Sequence, residues 1–340
     1  MDTLYFLDFL DPILFQGKGK FVASSKARND VTKIVRDYWQ CEYLPIIRTK
    51  QSKFYGVLLL LYKTWRQLHH VPKGSTVFFQ YPIFNNQAFK IIAPLFKKFH
   101  SIALVHDLPS YRHHKRPIKE EIAILNCFHT VIVHSQNMKE RLLKDGLKSR
   151  MVILEVFDYL LNEKQTIHRQ DNTIVFAGGL SKSLFLKDLS FLPFKNIHFN
   201  IYGKGLMDGV NAKNMTYKGT FLPDDITDIE GEWGLLWEGI SIESCQGSLG
   251  KYLTLIAPHK LSLYIACGLK IIAWESSAMA SFIIKNKIGI TIDKLENLEE
   301  TINNISQDEI EKMEKNVKKV AHKIREGAFL KEALSKAISI

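Results

Sequence analysis

Short apolar runs alternate with helical patterns along this chain, stop at a polar segment, and then begin again. Nothing else in the sequence restricts the fold as much. Before the break, residues 4–7, 76–80, 101–106 and 130–134 read as strands. Residues 30–39, 120–127 and 136–144 read as helices, with Val31, Ile34, Val35 and Tyr38 on one face of the first. After the break, strands are expected over 173–176, 197–202, 234–237, 269–274 and 289–292. A charged helical stretch from Asp308 onward then turns Ile310, Met313, Val317 and Val320 inward. Apolar strands separated by helices are the pattern of a parallel sheet covered on both faces.

The break itself, residues 161–172, is polar and carries no core pattern, so it reads as a linker. The expectation is an α/β chain of two Rossmann-like domains, residues 1–160 and 173–310. Their parallel sheets would face a central cleft that holds the main ligand. Residues 311–340 would form a helical segment that packs back toward the N-terminal domain. A length of 340 residues suits two domains of ordinary size. No repeat at solenoid spacing is visible.

Charge narrows the partner. The net charge of +11 calls for something anionic: nucleic acid, anionic lipid or a phosphorylated small molecule. No helix-turn-helix, zinc finger or RNP-like aromatic strand is present, so no nucleic-acid partner is expected. The stretch 50–70 could lie on a membrane surface, with Phe54, Leu58, Leu61 and Trp65 on one side and Lys53, Lys63 and Arg66 nearby. A plain core helix is the preferred reading of the same residues. No apolar run approaches the roughly 20 residues needed to span a bilayer. The N-terminus is apolar but carries Asp2, Asp8 and Asp11 without a basic leader, so it reads as a first core strand and not a signal peptide. Cys41, Cys127, Cys245 and Cys267 are scattered, which suits free thiols in a reducing cytoplasm. Peripheral contact with the inner face of a membrane, and self-association, stay open.

Three loops after strands of the second half suit an anion. Gly178 and Gly179 follow the first strand, with Ser181 placed to cap the next helix and Lys182 adding charge. Gly203-Lys204-Gly205 follows the second strand. The third lies in the strip Ala257-Pro258-His259-Lys260-Leu261-Ser262-Leu263-Tyr264-Ile265-Ala266-Cys267-Gly268, a short helix with Pro258 at its start and Gly268 past its end. Lys260 then lies at the helix N-terminus, where unpaired N–H groups already favour a phosphate. Leu261, Tyr264 and Ile265 share the inward face. An ordinary amphipathic helix with a solvated lysine, and tight turns without a ligand, are the competing readings.

The strip, the segment Gly234-Leu235-Leu236-Trp237-Glu238-Gly239 and the strand Ile271-Ile272-Ala273-Trp274 resemble the C-terminal signature of bacterial galactofuranosyltransferases. They also resemble the related glucosyltransferases that extend sugar chains on adhesin glycoproteins. In the first half, Ser25-Lys26-Ala27-Arg28-Asn29-Asp30-Val31, Gln80-Tyr81-Pro82-Ile83 and His106-Asp107-Leu108-Pro109-Ser110-Tyr111-Arg112 resemble the family's segments in the same order. The family's Gly-Pro before the last strand is here Gly268-Leu269, which alters a turn more than any chemistry. The resemblance implies a GT-B glycosyltransferase, with a UDP-sugar held mainly by the C-terminal domain and a carbohydrate acceptor, lipid-linked among the options, by the N-terminal one. It implies Lys260 and Lys182 as diphosphate contacts, His259 beside them, and Tyr202 near the base or ribose. The glucosyltransferase relatives carry an arginine at Lys182, and lysine keeps the charge without the bidentate fork.

Glycosyl transfer builds negative charge on the departing phosphate. No convincing Asp-x-Asp metal motif is present, since Asp224-Asp225 beside Pro223 reads as a turn or a helix start. Lys260, Lys182 and the Gly178–Gly179 amides can stabilise that charge by fixed electrostatics, so no metal and no other cofactor are expected. An inverting reaction needs a base for the acceptor hydroxyl. Asp107 is the candidate and His106 the runner-up, with a turn carboxylate as the bland reading of Asp107. Asn29 and Asp30 could position a sugar or simply cap the helix that follows. Arg112 could meet a pyrophosphate-lipid acceptor or stay in a solvated basic loop. The function expected is transfer of a sugar, galactofuranose first, onto a cell-surface polysaccharide or glycoprotein. A glucosyltransferase and a non-catalytic sugar-binding subunit are the alternatives.

Overall fold

The structure, a computed structural model, describes residues 3–10, 23–47, 53–83, 86–113, 116–161, 168–208, 210 and 213–339. The chain divides into two compact units, Met1–Leu154 with Leu330–Ile340, and Glu155–Phe329. Half of the expected linker, residues 162–167, lies outside the described residues. No helix among the described residues is long and apolar enough to cross a membrane.

Unit 1 is built on six parallel strands, β1 (Leu4–Leu10), β2 (Cys41–Ile47), β3 (Thr76–Tyr81), β4 (His100–Val105), β5 (Thr130–Val133) and β6 (Arg150–Ile153), in the order β2-β1-β3-β4-β5-β6. Its helices are α1 (Ala23–Tyr38), α2 (Lys53–His69), α3 (Asn86–Ile92), α4 (Pro109–His113), α5 (Ile118–Leu125) and α6 (Gln136–Lys144). Central strands are apolar on both faces because helices cover both. Phe79, Phe89, Phe96 and Phe128 fill one layer, with Phe79 stacked on Phe89 at 5.1 Å and on Phe128 at 5.6 Å. In α1, Val31, Ile34 and Val35 are buried as expected, whereas Tyr38 is 58% exposed. Tyr38 lies on the same face as Val31 but is the last residue of the helix, where the face is no longer covered.

Unit 2 repeats the plan with β7 (Thr173–Gly179), β8 (His198–Lys204), β9 (Met215–Gly219), β10 (Trp233–Leu236), β11 (Lys270–Trp274) and β12 (Gly289–Ile292), all parallel, in the order β12-β11-β10-β7-β8-β9. Its helices are α7 (Phe185–Leu189), α8 (Gly247–Tyr252), α9 (His259–Ala266), α10 (Ala280–Asn286), α11 (Leu298–Asn303) and α12 (Gln307–Arg325). Helix α12 starts in a Ser306–Glu309 capping box. It buries Val317, Val320 and Ile324 in the core that also takes Leu261, Tyr264 and Ile265 of α9. Arg325 donates to the Ala266 carbonyl at the end of α9. The last helix, α13 (Ala328–Ile338), returns to unit 1 from Leu330 on. There Arg150 donates to the carbonyls of Lys336 and Ser339 at 2.8 and 2.9 Å, and the Lys331 ammonium lies 5.0 Å from the centre of the Tyr38 ring. The stretch 311–340 therefore divides, α12 staying with unit 2 and residues from 330 joining unit 1.

Each strand order contains one place where neighbouring strands send their chains in opposite directions. In unit 1 this lies between β1 and β3, and in unit 2 between β7 and β10. The connections diverge there and leave a crevice at the carboxyl ends of the strands, where open α/β sheets take their ligands.

Candidate functional site

At the β7–β10 crevice of unit 2 the backbone is bare. Strand β7 ends in Gly178-Gly179. A Cβ on Gly178 would lie 3.8 Å from the Lys260 ammonium. Gly203, at the end of β8, has φ +141°, and a Cβ there would stand 1.8 Å from the Gly178 carbonyl oxygen. Only glycine lets these two strand ends approach so closely.

Lys260 reaches this crevice from the first turn of α9. Its ammonium pairs with Glu238 Oε1 at 2.6 Å, donates to the Trp237 carbonyl at 3.2 Å, and lies 4.5 Å from the centre of the Phe176 ring. The side chain is largely buried. Tyr264 fixes the helix that presents it. The Tyr264 hydroxyl accepts from the Ala177 amide at 2.8 Å, and its ring rests on β10 where a Cβ at Gly234 would come within 2.4 Å. The His259 ring stacks on Tyr159 at 5.0 Å, so it braces the start of α9. Lys182 ends a 3₁₀ turn, Leu180–Lys182, and its aliphatic stem folds against Gly179. Two lysines thus flank two consecutive glycines at the end of one strand. An ammonium, backbone amides and a helix N-terminus together suit a diphosphate.

Tyr202 departs from expectation. It is 1% exposed; its hydroxyl donates to the Asp228 carbonyl at 3.0 Å and accepts from the Glu230 amide at 2.9 Å. Those bonds commit it to holding the 228–230 turn, and burial pushes its hydroxyl up to about 12. Sequence reading gave no role to Glu238, the carboxylate that pairs with Lys260. It sits just past the apolar run of β10, which is the available signal.

The crevice of unit 1 holds a buried polar chain. Asp8, inside the apolar strand β1, accepts from Tyr43 and Thr32 hydroxyls at 3.0 Å each and from the Gln80 amide at 3.4 Å. Gln80 also donates to Thr32, so its carbonyl oxygen turns to His106 Nε2 at 2.7 Å. That contact ties the His106 ring to Gln80 at the end of β4. Arg28 of α1 donates to the carbonyls of Gln80 and Pro82. Burial raises the Asp8 carboxyl above its usual range, and it pushes Arg28 down to about 10 against the opposing pull of Asp8. Asp8, Arg28 and Gln80 were missed as candidates. A carboxylate in LYFLDFL and an amide in TVFFQY were the signals, because strands buried on both faces seldom carry either.

Asp107 is engaged twice. Its Oδ1 accepts from the Leu108 amide at 2.9 Å and its Oδ2 pairs with Arg112 at 2.6 Å across α4. Arg112 is thereby drawn into the turn. His114 and Lys115, in the basic run 112–116, lie outside the described residues. Glu121 holds the same turn from below, accepting from the Ser110 amide at 2.8 Å and the Tyr81 hydroxyl at 2.5 Å. Asn29 and Asp30 do not cap a helix, because α1 begins well before them. Asp30 is buried and paired with Lys26 at 2.7 Å. Asn29 is exposed and lines a cavity of about 550 Å³ with Leu10, Thr32, Lys33, Arg36, Asp37 and Tyr43.

Comparison with known proteins agrees with this plan. The N-terminal domain model of the glucosyltransferase 3-like family matches residues 13–156, and its C-terminal domain model matches residues 174–337. The chain is 28% identical to the beta-1,6-galactofuranosyltransferase WbbI of Escherichia coli over 247 residues, 71% of this chain and 72% of that protein. It is 24% identical to glucosyltransferase 3 of Streptococcus gordonii over 328 residues, 92% of this chain and 93% of that one. Among solved structures it shares the fold of Anabaena HepE, determined with UDP and glucose, at a TM-score of 0.56 and 12% identity over the full length of both chains. Two doubly wound parallel sheets, each with its own switch point, are the two units of the GT-B architecture, and with both domain models matched in order the chain belongs to the glucosyltransferase 3-like family of bacterial glycosyltransferases.

Proposed function

We propose that the chain transfers a hexosyl unit from a UDP-sugar to a carbohydrate acceptor without a metal ion. The observation that carries this reading is the Lys260 ammonium at the N-terminus of α9, set against Gly178 where β7 and β10 diverge. In the reaction the bond from the anomeric carbon to the β-phosphate oxygen breaks and the electron pair leaves with UDP. Lys260, Lys182 and the amides of Gly178 and Gly179 meet the charge that grows there. A bond then forms from the anomeric carbon to the acceptor oxygen, whose proton must leave.

Unit 1 carries the acceptor side of this reading. The His106 ring, tied to Gln80 at the end of β4, supports His106 as the group that takes that proton in an inverting transfer. The Asp107–Arg112 pair supports Asp107 as the residue that holds the turn. Galactofuranose is the lead donor sugar, on the higher identity to the Escherichia coli relative. Glucose is the second reading, on the near full-length match to the streptococcal one.

Calorimetric titration with UDP, with and without EDTA, tests the donor site. Micromolar binding that EDTA leaves unchanged supports the reading, and loss of binding in EDTA overturns its metal-free part. Release of UDP from UDP-galactofuranose but not from UDP-glucose, in the presence of sugar acceptors, assigns the donor. The opposite selectivity assigns glucose.

A further inference from the structure

Helix α2 wears its pattern inside out. Leu60, Thr64 and Leu68 face the core, so the opposite face should be polar. It instead carries Tyr55, Leu58, Tyr62 and Trp65, which are 67, 49, 55 and 52% exposed. These residues recur at helical spacing and form one stripe along three turns. The stripe continues in rings, with Tyr62 and Trp65 6.5 Å apart and Trp65 and His69 5.0 Å apart. Ile91 of α3, the helix packed against α2, is 62% exposed. Single exposed apolar residues are ordinary; a row of aromatics on one helix is not.

The formal charge of the segment that carries this face has one sign. From Tyr43 to His106 the chain contains no Asp or Glu, yet it holds nine lysines and arginines, against a net charge of +11 for the whole protein. Arg66, Lys73, Lys97 and Lys98 are exposed. Tyrosine and tryptophan bury an apolar ring while keeping a polar tip wet, the property that places them at the boundary of lipid and water.

We propose that the outer face of α2 docks on an anionic lipid bilayer, lying in the plane of the interface without crossing it. A second copy of the chain fits less well, because a symmetric contact would set this cationic segment against itself. A lipid surface satisfies both features at once. The rings enter the headgroup region, and the flanking lysines and arginines meet the anionic leaflet. This inference does not rest on the donor chemistry and fails or stands independently of it.

The test is co-sedimentation of the full chain with phosphatidylcholine vesicles, alone and with about one quarter phosphatidylglycerol, at about 0.15 M salt. The expected result is binding to the mixed vesicles and little to the neutral ones. The double variant Tyr62→Ser/Trp65→Ser keeps every charge, and it should lose vesicle binding by about tenfold or more while UDP affinity stays as in the parent. Unchanged vesicle binding in that variant would mean attraction by net charge alone and overturns the docking stripe. So does a wild-type chain that ignores the mixed vesicles. A lipid-free dimer that the same two substitutions convert to monomer makes the stripe a contact between copies and overturns the proposal as well.

Discussion

Replacing Lys260 by alanine should weaken UDP binding by a calculable amount. The Lys260 ammonium has three donors, of which one goes to Glu238 at 2.6 Å and one to the Trp237 carbonyl at 3.2 Å. The third remains for a diphosphate oxygen. A hydrogen bond to a charged group contributes about 1.5–3 kcal/mol, and about 1.4 kcal/mol is a factor of ten in affinity. Loss of that contact alone raises the Kd for UDP roughly 10- to 150-fold. A second effect has the same sign. Without Lys260, the Glu238 carboxylate faces the diphosphate with its partner gone and repels it. The two effects separate in a double-mutant cycle. Glu238→Gln alone should tighten UDP binding, since the ammonium is no longer shared with a carboxylate. Lys260→Ala should cost less in the Glu238→Gln background than in the parent. Calorimetry reads all four Kd values, and a thermal melt checks that the fold persists. A folded Lys260→Ala protein that binds UDP within about threefold of the parent refutes the diphosphate role. Weaker UDP binding in Glu238→Gln refutes the sharing argument.

Other consequences are equally direct. His106→Ala should abolish transfer and leave UDP binding unchanged, whereas Asp107→Asn should retain measurable turnover; the reverse ranking in a UDP-release assay returns the base to Asp107. Tyr264→Phe leaves the buried Ala177 amide without its acceptor, so the unfolding free energy should fall by about 1–3 kcal/mol in denaturant titration. Gly203→Ala places a Cβ 1.8 Å from the Gly178 carbonyl oxygen at φ +141°, and should leave little folded protein by circular dichroism. His134 is buried and held neutral, with its pKa pushed down to about 4 from 6.5. The unfolded chain therefore binds its proton first, and stability should fall as pH drops from about 6.5 to 4, by up to roughly 3 kcal/mol from this residue. The pH slope of urea unfolding should flatten in His134→Asn, and an unchanged slope would refute the assignment.

The strands that could be read from the sequence and those that could not differ in where they lie. The central strands β1, β3, β4, β5, β7, β8, β10 and β11 announce themselves as apolar runs because helices bury both of their faces. The strands that went unread, β2, β6 and β9, are all sheet edges, and of the four edges only β12 was read. Their burial alternates or is incomplete, as in Cys41–Ile47, where Leu44 and Ile46 alone are buried. Without those three edges the strand order, and with it both switch points, could not be drawn. Helix α2 misled for a related reason. The stretch 50–70 read by preference as a core helix because a hydrophobic pattern does not record which face meets the sheet, and only the packing of Leu60 and Leu68 shows that Leu58 and Trp65, with Tyr55 and Tyr62, point outward.

The same logic explains which site residues were visible. Lys260, Lys182, Gly178 and Gly179 follow apolar runs, and a glycine or lysine after such a run signals a strand end. Asp8 and Gln80 sit inside the runs, where a polar side chain looks like noise until the neighbouring strand is known. The register pairs β1 with β3 through Tyr5–Val77, Phe6–Phe78 and Leu7–Phe79, and β3 with β4 through Gln80–Leu104 and Tyr81–Val105. That register brings Asp8, Gln80 and His106 into one hydrogen-bonded line across three strands. No local pattern contains such a line, because its members are joined by the sheet and not by the chain. In unit 2 the order is reversed: the pair of Glu238 and Lys260 is local to β10 and α9, and what the sheet adds is the glycine end of β7 beside it. The cluster around Lys260 needs only one strand neighbour, and so left a legible trace. The line of Asp8, Gln80 and His106 is a buried network, and its residues are scattered by the topology that assembles it.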